Sequence, residues 1–556
     1  MRVGSGSLAP PLMNIPGDAG KHPVQKVSNS MTLPSPIGGI NARDSIANMD
    51  PTDALDLQNF FPSTLGCVVR NGYVVHSTGY GATHPVCTMA DHNRADGTDH
   101  LYAFAGGSMY DATGGGAVGA ALVSGLTNDH WQWVNFGTTT GVFWIGVNGV
   151  DNPIIIDPAG AVHRLVAGDG TTAYTISGVN PATFISVTAH QHRLWFVQAS
   201  AVASTQGWYL PPSQMWGIAN PYPFGTLLTK GGYLMTQITW TVDAGNGPQD
   251  QLVTISSAGE VVIYQGTDPS SISTWGLTGV FFLGRPIGVR CAVKFGGDVA
   301  ILCDQGLASL NSSLTSTTIN TRVTFFTDKI QKLISDEINL FSGDQNWQPF
   351  VYPQANMLII NVPNPNYPPA TSYQLVMNTI TGAWTRFMGM SAKNWCNYGK
   401  DIYYGGSDGI VYQGLTGFRD AVNPFSSPAF AGNDVLCRVI CAFTYFSNPG
   451  AEKNFTMIRP NLTGVNKPTY RVISNMQFDT NYAPDPTDAA EIDEPEWDVA
   501  EWDVNLWTGP NQTFNDWRDT QGIGYAAAMA MTLKAKDQVS WASTDWVFQI
   551  QKGTAL

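Results

Sequence analysis

The chain has 556 residues, a formal net charge of −14, and only 13% charged residues. This acidic balance argues against an electrostatic clamp on nucleic acid, which needs clustered Lys and Arg, but it is compatible with a surface past which DNA slides. With 58 Gly, 34 Pro and 43% hydrophobic residues, the composition indicates many short strands and turns around a large core. No segment has the pattern of a signal peptide or a membrane span, so neither is expected.

Residues 1–31 are polar and rich in Ser, Gly and Pro, which predicts a flexible N-terminal arm. Asp50-Pro51 then has the pattern of an N-cap followed by proline at the first helical position, so a short helix is predicted there. After it, Gly66–Arg70 and Tyr73–His76 are predicted as a hairpin with Asn71-Gly72 as its two-residue turn.

From about residue 66 to 416 one local pattern recurs, in which a short apolar strand is followed by a Gly-containing turn and a second strand. The six turns are at Gly106-Gly107, Asn148-Gly149, Ala258-Gly259, Gln305-Gly306, Thr381-Gly382 and Asp408-Gly409. Two packed sheets would explain the hairpins equally well, but so many similar units favour radial repetition. We therefore expect a mainly β protein with a β-propeller of six or seven blades over residues 32–430.

Two further elements are predicted. A helix is expected near 327–341, capped by Thr327, because Ile330, Leu333, Ile334, Ile338 and Phe341 recur at helical spacing. We expect this apolar stripe to pack on the propeller flank rather than to bind a partner. After about residue 430 the sequence no longer shows the recurring hairpin pattern, and residues 431–556 are predicted to form a separate β-rich C-terminal domain. Its last strand alternates Trp541, Ser543 and Asp545 on one face with Trp546 and Phe548 on the other.

Catalytic and metal-site motifs are not found. Gly114, Gly116 and Gly119 match a dinucleotide fingerprint only formally, without the strand and helix that it needs. The segment 91–100 is rich in possible ligands but fails the calcium-loop pattern, because Ala95 stands at a ligand position. No repeated sialidase box occurs. We therefore expect a protein that is not an enzyme and has no cofactor or metal. The seven cysteines, an odd number without C-x-x-C pairs, are expected to be free and buried.

The strongest charge feature is an acidic tract that contains nine acids, no base, and Trp497 and Trp502 between its later acids. It has two interpretations: a solvated loop whose charges protect a strand edge, or an acidic surface that faces a DNA channel. The candidate residues for the channel surface are Asp485, Asp488, Glu491, Asp493, Glu494, Glu496, Asp498, Glu501 and Asp503.

Several segments together resemble one protein family. They are GGINARDSIANMDPTDALDLQNFFP from residue 38, TDPSSISTWGLTGVFFLGRPIGVRC from 267, NWQPFVYPQANMLIINVP from 346, QLVMNTITGAWTRF from 374, IYYGGSDGIVYQG from 402, EWDVAEWDV from 496 and VSWASTDWVF from 539. In this order they resemble the tail nozzle (tail hub) proteins of short-tailed bacteriophages, over nearly the whole chain from about 33 to 550.

The resemblance implies a structural virion protein with one β-propeller per subunit. It implies a ring of six copies below the adaptor (head-to-tail connector) protein, in contact with tail fibres or tailspikes, that retains the genome and passes the DNA at ejection. Assembly is expected in the host bacterial cytoplasm. The alternative from a different class is a propeller-type tail protein that binds or hydrolyses a host glycan; a carboxylate pair in a central pocket would favour it.

Overall fold

A computed structural model describes residues 28–81, 84–199, 202, 204–243, 248–315, 323–366, 372–487 and 512–551. The protein is mainly β, with 52% of the described residues in strands and 6% in helices. The first five strands are β1 (Ser28–Pro34), β2 (Gly39–Ile40), β3 (Asp53–Gln58), β4 (Phe60–Pro62) and β5 (Cys67–Val69). The predicted arm lies outside the described residues up to residue 27, whereas its last four residues belong to β1.

The segment after β5 contains a series of small sheets. β6 (Tyr73–Thr78) comes first and pairs later. Sheet 1 consists of β7 (Val86–His92), β8 (His100–Ala105), β9 (Ser108–Asp111) and β11 (Val123–Ser124), while β10 (Gly116–Ala117) pairs with β6. Sheet 2 consists of β12 (Gln132–Thr138), β13 (Gly141–Val147), β14 (Ile154–Ile156) and β15 (Val162–Arg164).

Two further sheets follow in the same manner. Sheet 3 consists of β18 (Phe184–His190), β19 (Arg193–Gln198), β20 (Gly207–Tyr209) and β22 (Asn220–Tyr222); beside it lie the short parallel strands β16 (Val166–Ala167), β17 (Thr175–Ser177) and β21 (Gly217–Ile218). Sheet 4 consists of β23 (Leu234–Asp243), β24 (Pro248–Ser256), β25 (Glu260–Gly266) and β26 (Trp275–Phe282).

Sheet 5 consists of β27 (Ala292–Phe295), β28 (Asp298–Cys303) and β29 (Gly306–Ser309), and is followed by helices α1 (Leu310–Thr315) and α2 (Gln331–Phe341). Sheet 6 contains β30 (Gln348–Tyr352), β31 (Met357–Pro363), β32 (Ser372–Asn378) and β33 (Trp384–Phe387). Sheet 7 contains β34 (Ala392–Tyr398), β35 (Asp401–Gly406) and β36 (Val411–Gly414), and it takes its next strand from β6. All six predicted hairpins are confirmed as antiparallel pairs.

The remaining strands are β37 (Arg419–Asp420), β38 (Asn433–Cys441), β39 (Lys453–Gly464), β40 (Thr469–Met476), β41 (Gln512–Phe514), β42 (Arg518–Gly524), β43 (Ala527–Ala535) and β44 (Val539–Ile550). They pair with the start of the chain. β44 lies between β39 and β5 and also pairs with β1, and β3 pairs with β38. Through β33, β2 and β3, sheet 6 continues into β38, β43 and β40. One buried core extends from sheet 4 to β44.

The pairing of both chain ends differs from the predicted division at residues 32 and 431. The strands before residue 70 share sheets with strands beyond 430, rather than opening the series of small sheets. Gly39 shows how tightly these parts are joined. Its φ is +75°, and a Cβ there would lie 2.4 Å from the carbonyl oxygen of Trp384 in β33. Glycine is therefore needed at this position for both its conformation and its lack of a side chain.

The predicted helix near 327–341 is confirmed, and it packs against the protein as expected. Ile330, Ile334 and Ile338 are buried in the large core, and Leu333 and Phe341 are partly buried against it. The predicted capping role of Thr327 is wrong. Its hydroxyl instead accepts a hydrogen bond from the backbone N–H of Leu307, so this side chain joins the helix start to sheet 5.

Two local predictions near the N-terminus are wrong. Asp50-Pro51 starts a turn, not a helix: the Asp50 carboxylate accepts bonds from the N–H and hydroxyl of Thr52, and the chain then enters β3, which pairs with β38. Asn71-Gly72 is not a hairpin turn either. β5 pairs with β4 and β44, whereas β6 pairs with β36, so this dipeptide carries the chain from one sheet to another.

The predicted alternation along the last strand is confirmed from Ser543 to Phe548 and is wrong for Trp541. Trp541 and Trp546 are both buried, although an odd spacing should place them on opposite faces. The pairing register with β39 shifts between Asn461 and Leu462, so Ala542 is an extra residue in β44. This β-bulge changes which face the following side chains occupy and brings both indole rings to the core.

Arg70 is a fully buried side chain where several parts of the chain meet. Its Nε donates to Asn59 Oδ1, both terminal nitrogens bind the Asp420 carboxylate at 2.8 and 2.7 Å, and the remaining two N–H groups donate to the carbonyls of Asn71 and Met388. All five N–H groups therefore have acceptors. We predict that Arg70→Met lowers the free energy of unfolding by about 3–5 kcal/mol, because the buried Asp420 loses its counter-charge.

The matched control is Arg419→Met, one residue before Asp420. Arg419 pairs with Asp434, and both side chains are about one third exposed, so its loss should cost ~0–1 kcal/mol. Denaturant unfolding followed by tryptophan fluorescence measures both variants. Equal losses of unfolding free energy in the two variants would show that the Arg70–Asp420 pair does not hold these segments together.

Candidate functional site

A cavity of about 460 Å³ lies among the small sheets and is the main candidate site. It is lined by residues from the first strand of each of the seven sheets, together with Trp131, Val289 and Arg290. Each of these first strands pairs with only one neighbour, the second strand of its own sheet. The other backbone edge of each strand is thus left without a strand partner next to the cavity.

Side chains from neighbouring sheets satisfy part of these open edges. In sheet 7, Asn394 accepts a hydrogen bond from the N–H of Met89 in sheet 1 at 2.6 Å. Gln348 in sheet 6 both donates to the carbonyl of Trp395 and accepts from its N–H. In return, Asn397 donates to the carbonyl of Val351. The same type of bond therefore joins sheet 6 to sheet 7 and sheet 7 to sheet 1.

Side chains also bond to the open strand edges among sheets 1 to 4. Asn135 in sheet 2 donates to the carbonyl of Asp91 in sheet 1. Between sheets 3 and 4, Thr188 donates to the carbonyl of Gln237, and Thr239 donates to that of Ala189. Since a buried backbone group without a partner costs ~1–3 kcal/mol, these side chains stabilise the packing of one sheet on the next.

Arg290, in the connection between β26 and β27, spans the cavity wall. It donates to the Cys87 carbonyl, the Thr88 hydroxyl and the Trp131 carbonyl, and so ties this connection to sheets 1 and 2. Burial lowers the pKa of its guanidinium to about 10. Sequence reasoning missed this residue, because a lone Arg after an apolar segment gives no signal of its partners.

Asp91 is the acidic residue that lines the cavity. It is 9% exposed, and burial raises the pKa of its carboxyl to about 6, although bonds from Asn93 and the Cys396 thiol oppose the shift. Neighbouring His130 has its pKa lowered to about 4 by burial and then by the charge of Arg290. Burial thus disfavours the charged form of both side chains.

The acidic tract lies mostly outside the described residues, from Asp488 to Asp503. Its first residue, Asp485, is described, and its carboxylate binds the guanidinium of Arg438 at 2.8 and 2.9 Å. Asp485 is therefore paired with a basic residue from outside the tract. Pro484 and Pro486 beside it line a groove with Arg471 and Arg518.

The described part of the chain contains no cluster of three or more His, Cys, Asp or Glu arranged to hold a metal ion. None of its helices is long and apolar enough to span a membrane. All seven cysteines are free, as predicted, and six of them are buried.

Asp91 gives a prediction on pH dependence. A carboxyl whose pKa is raised by folding favours the folded state at low pH, and this contribution is lost as pH rises through about 6. Asp91→Asn removes the cost of ionisation. Relative to the parent, it should gain about 1.4 kcal/mol of stability between pH 5 and pH 8, measured by urea unfolding at both values.

Asp96→Asn is the control, in the exposed turn between β7 and β8. Bonds from the Thr98 hydroxyl and N–H lower the pKa of Asp96, so it is ionised in both states over this range and its effect should not change between pH 5 and pH 8. A pH-independent effect of Asp91→Asn would contradict the raised pKa.

Comparisons with known proteins complete the description. No protein-family model matches the chain, and no curated protein matches it. Among solved structures, a complex of BBS1N with ARL6DN soaked with mercury is 11% identical, with 41% of this chain and 64% of that chain covered and a TM-score of 0.27. The computationally designed Ika8 protein is 9% identical, with 62% and 99% covered and a TM-score of 0.34. BBS1N with ARL6DN soaked with lead is 10% identical, with 63% and 98% covered and a TM-score of 0.36. Values this low tie the chain to none of these proteins.

Proposed function

We propose that this protein is a structural subunit of the tail nozzle of a short-tailed bacteriophage. The observation that carries the proposal is the set of family-like segments in the family's order. Where they are described, these segments form regular strands in both parts of the fold. The segment from 267 contains β26, and the segment from 539 lies in β44. The segments from 346, 374 and 402 contain β30 to β33, β35 and β36. The resemblance is thus not confined to one hairpin.

Sheets 1 to 7 are, in this proposal, the blades of a seven-bladed β-propeller. Three observations support it: the sheets follow one another along the chain, their first strands line one cavity, and β6 from the start of the series pairs with β36 at its end. Such pairing closes a propeller, because a strand that precedes the first blade in the sequence completes the last blade. Seven blades fall within the six or seven that the sequence predicts.

DNA does not pass through this cavity. At ~30 Å³ per water molecule, its volume corresponds to roughly 15 waters. A DNA duplex is far larger than this space, since its major groove alone is ~12 Å wide. The channel of a nozzle must then lie between copies, as in the expected ring of six. Each copy brings a formal charge of −14, so the lumen repels phosphate and allows a duplex to slide.

The alternative, a glycan-binding or glycan-hydrolysing protein, would use the same cavity. Its size falls in the range of ~300–1,000 Å³ that is typical of small-molecule sites. However, Gln348, Asn394 and Arg290 are already bonded to backbone or hydroxyl groups of neighbouring strands. This use of the polar side chains favours a structural role.

Cryo-electron microscopy of virions tests the proposal. We expect six copies below the adaptor ring, with the DNA channel between them and not within one copy. Particles produced without this protein should lack that density and lose their DNA. A virion in which the protein is absent from the tail axis, or a purified monomer that binds or cleaves glycan, would contradict the nozzle function.

A further inference from the structure

A groove of about 470 Å³ lies beside β40, at the end of the sheet that continues from sheet 6. β40 pairs with β43 alone, so its outer backbone edge has no partner among the described strands. Natural proteins usually cover or charge such an edge, because it can pair with another chain. We call this space the arginine groove, and its walls include Tyr470, Arg471, Pro486, Thr487, Arg518 and Asp519.

Arg471 is the exposed cation on the β40 side of the groove, and no described residue forms an ion pair with it. In the register of the sheet, Arg438 and Arg471 both stand opposite Thr532. Residues that are directly opposite in an antiparallel pair share a face, so these three side chains form one row. Arg438 at one end of the row binds Asp485, whereas Arg471 at the other end has no carboxylate.

Arg518 brings a second guanidinium to the groove, where it lies over the ring of Tyr470 at 5.1 Å from the centroid. It approaches the carboxylate of Asp516 only to 4.0 Å, and that carboxylate is also bound by Lys467. Asp519 is the acid in the described wall. Two arginines and one aspartate give this wall a net charge of +1, in a chain whose net charge is −14.

The acidic tract reaches this groove along the row of side chains. The Thr532 hydroxyl donates to the carbonyl of Ala483 at 2.7 Å, and Asp485 then binds Arg438. Thr487 lines the groove itself, and Asp488, the first residue outside the described part, is joined to it directly. Consecutive Cα atoms are ~3.8 Å apart, so the tract continues from the groove wall. The described chain resumes at Gln512, shortly before Arg518.

We propose that the arginine groove binds the acidic tract of its own chain, with carboxylates of the tract on Arg471 and Arg518. Beyond Asp485 the tract has eight acids and no base, which complements the charge of the groove. Because the segment is attached beside the groove at both ends, its effective concentration there exceeds that of an acidic segment from another molecule. The bound tract protects the open edge of β40. The inference does not rest on the nozzle function.

Carbodiimide coupling tests the contact, because this reagent joins a lysine amine to a carboxylate that touches it and does not couple arginine. In the full-length Arg471→Lys variant, we expect an amide link from position 471 to a carboxylate between residues 488 and 503. The linked chain should run as a monomer on a denaturing gel, and peptide mass spectrometry identifies the carboxylate. The matched control is Arg438→Lys, which should link to Asp485.

Three outcomes would overturn the inference. A link from position 471 to Asp519 alone would show a groove without the tract. Dimers joined through position 471 would show that another copy supplies the acid. A link in Arg438→Lys, without any in Arg471→Lys, would show that the tract leaves the sheet after Asp485. None of these results depends on whether the protein forms a nozzle.

Proteolysis gives a second readout, because four of the seven glutamates lie in the tract and glutamyl endopeptidase cleaves after them. Raising the salt from about 0.05 M to about 0.5 M screens the ion pairs and should accelerate cleavage of the parent by about two- to five-fold. Arg471→Gln should be cleaved at the faster rate at both salt concentrations. Lys332→Gln, on the exposed face of α2, should behave as the parent does. Equal rates for the parent and Arg471→Gln at low salt would contradict the proposed contact.

Discussion

The open backbone edges of the seven first strands are the constraint on which the structure depends. A first strand has a strand partner on one side only, and residues of all seven first strands line one cavity. Side chains of the adjacent sheet supply hydrogen-bond partners for this open edge. Asn394 accepts from the N–H of Met89, and Thr188 donates to the carbonyl of Gln237. The positions of Asn, Gln, Thr and Arg around the cavity thus follow from backbone hydrogen bonding.

Strands near the two ends of the chain also find backbone partners, by pairing with strands that are distant in the sequence. β6 supplies a strand to sheet 7, β3 pairs with β38, and β1 and β5 pair with β44. Arg70 links these parts through five hydrogen bonds, two of them to Asp420. Sheets 4 to 6 and the C-terminal strands consequently share one core.

The sequence predicted what depends on neighbours along the chain. Gly-containing turns between apolar strands located all six hairpins, and the stripe from Ile330 to Phe341 located α2. Prediction from the sequence failed where contacts between distant segments determine the local structure. Asp50-Pro51 fits a turn as well as a helix start, and pairing of β3 with β38 selects the turn. The bulge at Ala542 and the partners of Arg290 likewise depend on contacts with residues distant in the sequence.

Hydrogen exchange of single amides tests the role of the open edges most directly. The N–H groups of Met89 and Trp395 donate to Asn394 and Gln348, so they should exchange slowly although no strand pairs with them. Gln348→Ala should accelerate exchange at Trp395 directly and at Met89 much less, because Gln348 reaches Met89 only through its bond from the Asn394 amide. If both amides exchange in the native protein as fast as those on the outer edge of β26, side chains do not hold the first strands together, and the account is wrong.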